Sequence, residues 1–232
     1  MNINKIKIDH IPALLYGEKS EKLILAVHGS HSSKIDDCIW VLAEEATKKG
    51  YQVLSFDLPR HGERVYEETP CMVQECVKEL RTILQYAKGL AKQISLFGCS
   101  MGAYFSLLAF AGEPLEKAWF LSPVTDIERI IHNIMGYCGI TEKEFEAMGT
   151  VENPIETLYW DDYQYVKAHP INTWNHSTFI LRGETDTLSE KAYVSAFAER
   201  FGCALEEQPG GEHWFHTEEQ LEYFRNWLKK RL

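Results

Sequence analysis

Residues 94–102 read ISLFGCSMG, and the apolar stretch YFSLLAF follows after Ala103. The apolar run at the start predicts a buried strand, and Ser100 to Ala111 predicts a helix. Ser100 therefore lies on a sharp turn between a strand and a helix, with Gly98 and Gly102 on either side because larger side chains would clash there. The five-residue motif alone is only suggestive, and its position between these two elements is what makes Ser100 a candidate nucleophile.

A serine hydroxyl is a weak nucleophile until a base accepts its proton. After a strand–serine–helix turn of this type, an acid and then a histidine are expected further along the chain. His213 lies in a Gly-rich loop between the last predicted strand and the last predicted helix. His216 is the only close alternative, but it is expected at the start of that helix. The order of residues predicts His213 as the base.

The acid is expected at the end of the strand that precedes His213. Residues 179–186 read FILRGETD, an apolar strand followed by a glycine turn and two acidic residues. A carboxylate here would hold the imidazole tautomer and stabilise its protonated form. Asp186 is preferred over Glu184, and Asp126 is a third alternative. Asp186 could also cap the helical segment at Leu188, and both roles are compatible.

Acyl transfer also requires two donors for the oxyanion that develops on the substrate. The backbone N–H of Met101, at the start of the predicted helix, is one candidate. The second is expected from the loop after the strand KLILAV, where we select the N–H of Ser30. His28 is predicted to hold this loop. Its spacing to His31 is weak evidence for a metal, because no third ligand stands out, so no metal or cofactor is expected.

Strands alternate with helices along most of the chain, which predicts an α/β fold with a mostly parallel sheet and helices on both faces. An opening hairpin would add antiparallel edge strands. The segment from about 124 to 174 breaks this pattern, since it is aromatic-rich and shows no clear strand. Strands are predicted at residues 3–8, 12–16, 22–27, 52–56, 94–97, 117–121, 178–181 and 204–207, and helices at 36–49, 73–92, 100–111, 190–201 and 217–230.

The composition places limits on the function. The 232 residues carry a formal net charge of −10, and no basic footprint for nucleic acid is visible. No apolar run is long enough to span a membrane, and the N-terminus lacks the pattern of a signal peptide. The six cysteines form no CxxC pair, so we expect buried, reduced thiols in a cytoplasmic protein. The length predicts a single domain over residues 1–232, and it leaves monomer and homodimer open.

The sequence resembles the α/β-hydrolase superfamily over nearly its whole length, and within it the carboxylesterase and acylglycerol-lipase-like branch. The pair His28-Gly29 is similar to the oxyanion loop of that family. Its acid turn matches Gly183 to Asp186, and its late histidine matches His213. The resemblance therefore assigns the same Ser, Asp and His to the site as the residue pattern does.

Four positions depart from the family pattern. The elbow, often Gly-His-Ser-Met-Gly-Gly in the family, has Cys99 and Ala103 here, which leaves the nucleophile intact. The segment 57–64 matches the family's Asp-x-Pro-Gly-His-Gly-x-Ser only loosely, with Arg60 and Arg64 in place of glycine and serine. This loop is therefore expected to have a different shape.

The resemblance implies a two-step hydrolysis through an acyl-enzyme, with no cofactor and a small-molecule ester as partner. It also places a small cap insertion at about 124–174. The cap aromatics either line a substrate pocket or dock the cap on the core. We expect a small or medium apolar or aromatic ester. A thioesterase, a peptidase and a non-catalytic ligand-binding protein of this fold remain the alternatives. The aromatics in question are Tyr137, Phe145, Tyr159, Trp160, Tyr163 and Tyr165.

Overall fold

Eight strands form a mixed central sheet in the computed structural model, which describes residues 1–154 and 156–232. Two further short strands pair with each other outside this sheet. In chain order the described strands are β1 (Ile3–Ile8), β2 (Ile11–Tyr16), β3 (Lys22–Val27), β4 (Gln52–Phe56), β5 (Gln93–Cys99), β6 (Ala118–Leu121), β7 (Thr150–Val151), β8 (Leu158–Tyr159), β9 (Thr178–Gly183) and β10 (Ala204–Gln208).

Helices follow most of the strands, as the sequence pattern predicts. A short 3₁₀ helix also occupies residues 62–64. Within the described residues, no helix has both the length and the apolar character needed to cross a bilayer. The helices are α1 (Asp37–Lys48), α2 (Val73–Leu90), α3 (Met101–Phe110), α4 (Ile127–Cys138), α5 (Glu142–Met148), α6 (Trp160–Ala168), α7 (Lys191–Phe201) and α8 (Glu218–Arg231).

The strand order in the large sheet is β1-β2-β4-β3-β5-β6-β9-β10. The hairpin β1-β2 is antiparallel, and β2 also pairs antiparallel with β4. All other neighbours in this sheet run parallel. The predicted fold class, a mostly parallel sheet with an opening antiparallel hairpin, is therefore confirmed.

The sheet is buried on both faces because helices cover each of them. In β3, Leu23, Leu25 and Val27 face a core that contains α2, α3 and α7. Ile24 and Ala26 face the opposite core, which contains α1 and α8. Because side chains alternate across a strand, a strand covered on both sides must be apolar at nearly every position. This explains why KLILAV reads as an unbroken apolar run.

The strand order reverses at β3. This strand lies between β4 and β5. The chain passes from β3 to β4 on one side of it, and then crosses to β5 on the other side. In parallel α/β sheets, the loops on either side of such a reversal diverge and leave a crevice at the carboxyl edge. The loop after β3 carries His28 to His31, and the turn after β5 carries Ser100. The topology therefore brings both segments to one place.

The segment between β6 and β9 is more regular than the sequence predicted. It contains three helices, α4 to α6, and the hairpin β7-β8, where no clear strand was expected. Strands of two residues leave too short a periodic pattern to detect. Phe145 and Tyr163 are buried and pack against Trp160. These three aromatics therefore hold the segment together, whereas Tyr137 is exposed.

Candidate active site

Ser100 lies between β5 and α3 in a strained backbone conformation, with φ of 49° and ψ of −120°. The turn is possible only because its glycines allow close approach of other backbone. A Cβ atom on Gly102 would lie 2.3 Å from the carbonyl oxygen of His28, and one on Gly98 would lie 2.8 Å from the Cα of Ala103. A side chain larger than glycine would therefore clash at both positions, as the sequence predicts.

The structure brings Ser100, Asp186 and His213 together from loops that follow β5, β9 and β10. The Nε2 atom of His213 lies 2.9 Å from the Oγ of Ser100. Its Nδ1 atom lies 2.9 Å from the Oδ2 of Asp186. The Asp186 side chain is fully buried, whereas that of His213 is 20% exposed. The imidazole is thus accessible from solvent while the acid behind it is not.

Asp186 is held by its own loop as well as by His213. Its Oδ1 atom accepts hydrogen bonds from the backbone N–H of Leu188 (2.9 Å) and of Ser189 (2.8 Å), as a helix-capping side chain would. Burial alone would raise the pKa of Asp186, but His213 and these two N–H donors outweigh burial and lower it. The carboxylate is therefore stable in its charged form at neutral pH.

The alternative acids and the alternative base are turned elsewhere. Glu184 accepts a hydrogen bond from the backbone N–H of Gly210, and Asp126 caps α4 by accepting from the N–H of Arg129. The His216 ring donates to the carbonyl of Trp214 and stacks on its side chain. Among the described residues, Asp186 is the carboxylate that contacts His213.

Two residues that the sequence analysis did not select support the acid loop. The guanidinium of Arg182 is buried in β9 and donates to the carbonyl oxygens of Asp186 (2.9 Å) and Ser189 (3.2 Å). The hydroxyl of Ser189 donates to the carbonyl of Ser122 and lies 3.4 Å from Nδ1 of His213. An arginine inside the apolar run FILRG is the signal that could have identified this support.

The loop after β3 packs directly against Ser100. A Cβ atom on Gly29 would lie 2.9 Å from the Cβ of Ser100, so the backbone that leads to Ser30 passes over the serine. Met101 is the first residue of α3, a helix of ten residues. The first N–H groups of a helix have no intrahelical partner, and the helix dipole makes this end attractive to negative charge. Both N–H groups selected from the sequence, those of Ser30 and Met101, therefore belong to backbone next to Ser100.

His28 fixes this loop, as its position in the sequence suggested. Its Nδ1–H donates to the carbonyl of Gly29 (2.7 Å), and its Nε2 accepts from the N–H of Leu58 (3.1 Å). Burial lowers the pKa of His28 to about 4, although the bond to Gly29 partly opposes this. The ring is therefore neutral at physiological pH, which its acceptor role requires.

A buried ion pair also joins the two loops at this edge. Lys34 Nζ lies 2.5 Å from Asp57 Oδ2, and the backbone N–H of Lys34 donates to Asp57 Oδ1. The second Asp57 oxygen also accepts from the N–H of Glu63. The loops after β3 and β4 are thereby fixed to each other through one carboxylate.

The arginines that depart from the family pattern have structural explanations. Arg60 has a φ of 59°, the left-handed conformation that glycine adopts most easily. Its side chain donates to the carbonyls of Glu67 and Glu68. Arg64 is buried, and its guanidinium makes two hydrogen bonds of 2.6 and 2.7 Å to Glu79. Arg60 thus stabilises this loop through backbone carbonyls, and Arg64 stabilises it through the ion pair with Glu79.

His28 and His31 are the two histidines whose spacing is a weak hint of a metal. Over residues 1–154 and 156–232, no group of three or more His, Cys, Asp or Glu side chains is arranged to hold a metal ion. His28 is engaged in its two backbone bonds, and His31 is exposed with its Nε2 3.8 Å from Glu156. The two histidines are thus turned to different partners.

Comparisons with known proteins give similarity in structure but not in sequence. No protein-family model matches the chain, and no curated protein matches its sequence. Est1E from Butyrivibrio proteoclasticus superposes with a TM-score of 0.79 at 19% identity, over 100% of this chain and 97% of that chain. A second structure of Est1E, with ferulic acid bound, gives a TM-score of 0.76 at 18% identity, covering 98% of this chain and 97% of that chain.

Two further solved structures have the same architecture. Alpha/beta hydrolase domain-containing protein 10 from mouse gives a TM-score of 0.78 at 14% identity, over 100% of this chain and 98% of that chain. The Pyrococcus furiosus esterase PF2001 gives 0.69 at 20% identity, over 99% of this chain and 90% of that chain. At these identities the similarity establishes the architecture. Together with the strand order described above, it shows that this chain has the α/β-hydrolase fold.

Proposed function

We propose that the protein is a serine hydrolase that cleaves carboxylic esters through an acyl-enzyme. Ser100 is the nucleophile, His213 the general base and Asp186 the acid that orients it. The observation that carries this proposal is the contact of both His213 ring nitrogens, one with Ser100 and the other with Asp186, each at 2.9 Å. A purely structural histidine has no need of a strained serine on one side and a buried carboxylate on the other.

In the first step, the Oγ of Ser100 attacks the ester carbonyl while His213 accepts the hydroxyl proton. His213 then gives this proton to the leaving alcohol, and the acyl group stays on Ser100. In the second step His213 takes a proton from water, whose oxygen attacks the acyl carbon. The bond to Ser100 Oγ then breaks, His213 returns the proton to this oxygen, and the carboxylic acid is released. Asp186 keeps the Nδ1 proton in place and stabilises the imidazolium in both steps.

The N–H groups of Ser30 and Met101 would receive the oxyanion. Support comes from their position, one on the backbone that contacts Ser100 and the other at the start of α3. Removal of one such donor costs on the order of 10²–10³ in kcat in other enzymes. Because the Ser30 donor is a backbone group, its geometry depends on His28 and on the Lys34–Asp57 pair, which hold the loop after β3.

We propose a small or medium apolar or aromatic ester as substrate. A cavity of about 170 Å³ lies between α4, α7 and the loops after β6 and β9. Its lining includes Val124, whose N–H donates to the Ser100 carbonyl, and Ser189 of the acid loop. A cavity of roughly 150 Å³ is known to accept benzene, so this one has room for about one ring. The ferulic acid bound to structurally similar Est1E, an aromatic acid, is in keeping with this.

The test combines covalent labelling with a substrate panel. We expect a fluorophosphonate to label the wild-type protein at Ser100, and we expect turnover of p-nitrophenyl esters with short or aromatic acyl groups. Ser100→Ala should lose both labelling and turnover. Ser20→Ala is the matched control, because that hydroxyl bonds the carbonyl of Gly50 in a distant turn.

The same panel contains thioesters and aminoacyl amides. Higher kcat/KM on either class than on every ester would replace the esterase proposal with a thioesterase or a peptidase. If the wild-type protein neither labels nor turns over any member, the hydrolase proposal is wrong and a ligand-binding role takes its place.

A further inference from the structure

Two thiols lie in contact at the start of α2, outside the proposed hydrolytic machinery. Cys71 precedes the helix, and Cys76 lies in its first turns. Their Sγ atoms are 3.4 Å apart. Cys71 is partly exposed, whereas Cys76 is buried. The six cysteines of the chain are free thiols, and four residues separate the two members of this pair in the sequence, a spacing that matches no redox or metal motif.

The surroundings make the two thiols unequal. The pKa of Cys71 is lowered, first by the hydrogen bond from Cys76 and then by His61, and these outweigh the effect of burial. The pKa of Cys76 is raised by burial and by its neighbour Cys71. Cys71 also lies just before the N-terminus of an 18-residue helix, where a thiolate is favoured. Cys71 is therefore suited to act as the nucleophile, and Cys76 is suited to act as the resolving thiol.

His61 links this pair to the loop over the active site. Burial lowers its pKa, but the contact with Cys71 outweighs burial and raises it. The Nδ1–H of His61 donates to the carbonyl of Pro59, and its Nε2 accepts from the backbone N–H of His31 (3.1 Å). His31 follows Ser30 directly. A single histidine thus separates the two thiols from the proposed oxyanion loop.

We propose that Cys71 and Cys76 form an oxidation site at which hydrogen peroxide produces an intramolecular disulfide. The Cys71 thiolate attacks one peroxide oxygen, the O–O bond breaks, and the hydroxide that leaves takes up a proton to become water. Cys71 is then a sulfenic acid. The Cys76 sulfur attacks the Cys71 sulfur, its proton passes to the departing hydroxyl, and a second water leaves. Two thiols and one hydrogen peroxide thereby give one disulfide and two waters.

The geometry demands little movement for this reaction. A disulfide has an S–S distance of about 2.05 Å, so the two sulfurs must approach by roughly 1.4 Å. Cys76 is fixed in α2, but Cys71 lies outside the helix, in the segment that ends at Met72. The residue that must move is therefore the one without helical hydrogen bonds.

Formation of the disulfide can be measured by mass spectrometry alone, without any assay of hydrolysis. Arg64 and Lys78 flank both cysteines, so trypsin releases them in a single peptide, residues 65–78. After treatment of the reduced protein with one equivalent of hydrogen peroxide, we expect this peptide to be lighter by two hydrogen atoms and to resist alkylation. Oxidation of Met72 would add oxygen instead and is separated by mass. We expect Cys71 to react about tenfold faster than Cys138.

Two variants identify the roles. In Cys76→Ser, the Cys71 sulfenic acid has no resolving thiol and should be trapped by dimedone on peptide 65–78. Cys138→Ser, which removes a half-buried thiol at the end of α4, is the matched control and should leave disulfide formation unchanged. The proposal is overturned if the wild-type peptide keeps two alkylatable thiols while Cys138 or another cysteine is already oxidised. This result would leave the proposed esterase activity unaffected.

Discussion

Asp186 contacts His213 through only one of its carboxylate oxygens, Oδ2, at 2.9 Å. The other oxygen accepts the backbone N–H groups of Leu188 and Ser189. The carboxylate plane is therefore fixed by the main chain of its own loop. Arg182 fixes the loop in turn by donating to the Asp186 carbonyl. The orientation of the imidazole is thus determined by the loop after β9, which the buried guanidinium of Arg182 supports.

The first prediction concerns the acid. Asp186→Asn should reduce kcat for ester hydrolysis by about 10⁴, because an amide N–H facing Nδ1 favours the wrong imidazole tautomer. Steady-state kinetics on a p-nitrophenyl ester will measure this. Glu184→Gln is the control, since that carboxylate bonds Gly210, and its kcat should stay close to wild type. Equal losses in the two variants would contradict the assignment of Asp186.

The second prediction concerns the pair that joins the loops. Lys34→Met leaves Asp57 buried without its cationic partner, so the free energy of unfolding should fall by about 3–5 kcal/mol. Urea denaturation will measure the change. Lys92→Met removes a lysine from an exposed pair with Glu21 and should change stability by less than about 1 kcal/mol. A loss at Lys34 no greater than at Lys92 would show that the buried pair is dispensable.

The third prediction follows from the pKa of His28, which burial lowers to about 4. As pH falls below about 6.5, His28 takes up a proton in the unfolded chain, whereas in the folded protein it stays neutral until about pH 4. The free energy of unfolding should therefore decrease between about pH 6.5 and pH 4, by at most about 3 kcal/mol from this residue. The stability that neutral His28 provides is fully present above that window.

His28→Gln should flatten this pH dependence, while retaining an acceptor for the N–H of Leu58. Denaturation curves at half-unit pH steps will show it. His31→Gln, which changes an exposed ring in the same loop, should keep the wild-type slope. A slope that persists unchanged in His28→Gln would assign the pH dependence to other groups.

The fourth prediction concerns substrate choice. Ile130 is half-buried and lines the cavity beside Ser189. Ile130→Trp should fill this space and lower kcat/KM for an aromatic ester by about tenfold or more, while an acetate ester loses much less. Met148→Trp, on the exposed surface of α5, should leave both values unchanged. A uniform loss on both esters would place the substrate group outside this cavity.

The parts of the fold that could be predicted from sequence are those with strong local signals. Apolar runs such as Lys22–Val27 are buried on both faces, so each of them reads as a strand without ambiguity. The turn around Ser100 has glycines where backbone atoms leave no room for a Cβ atom. Because the order serine, acid, histidine follows from the order of strands, Asp186 and His213 could be selected from the sequence before any distance was known.

The features of the fold and the site that could not be predicted depend on contacts between residues that are distant in the sequence. Nothing near Lys34 in the sequence indicates that Asp57 is its partner, and Arg182 is noticeable only as a charge within an apolar strand. The Cys71–Cys76 contact depends on where α2 begins. The segment between β6 and β9 has short helices and two-residue strands, whose periodicity is too brief to be recognised.

The part of the chain that carries α4, α5 and α6 can change its sequence without disturbing the central sheet. It enters after β6 and leaves before β9, while Ser100, Asp186 and His213 are fixed at the ends of β5, β9 and β10. Mutations between these two points can reshape the surroundings of the proposed substrate without moving the strand ends that hold the three proposed catalytic residues. Selection can therefore change which molecules are accepted in one part of the chain while the chemistry is inherited unaltered in another.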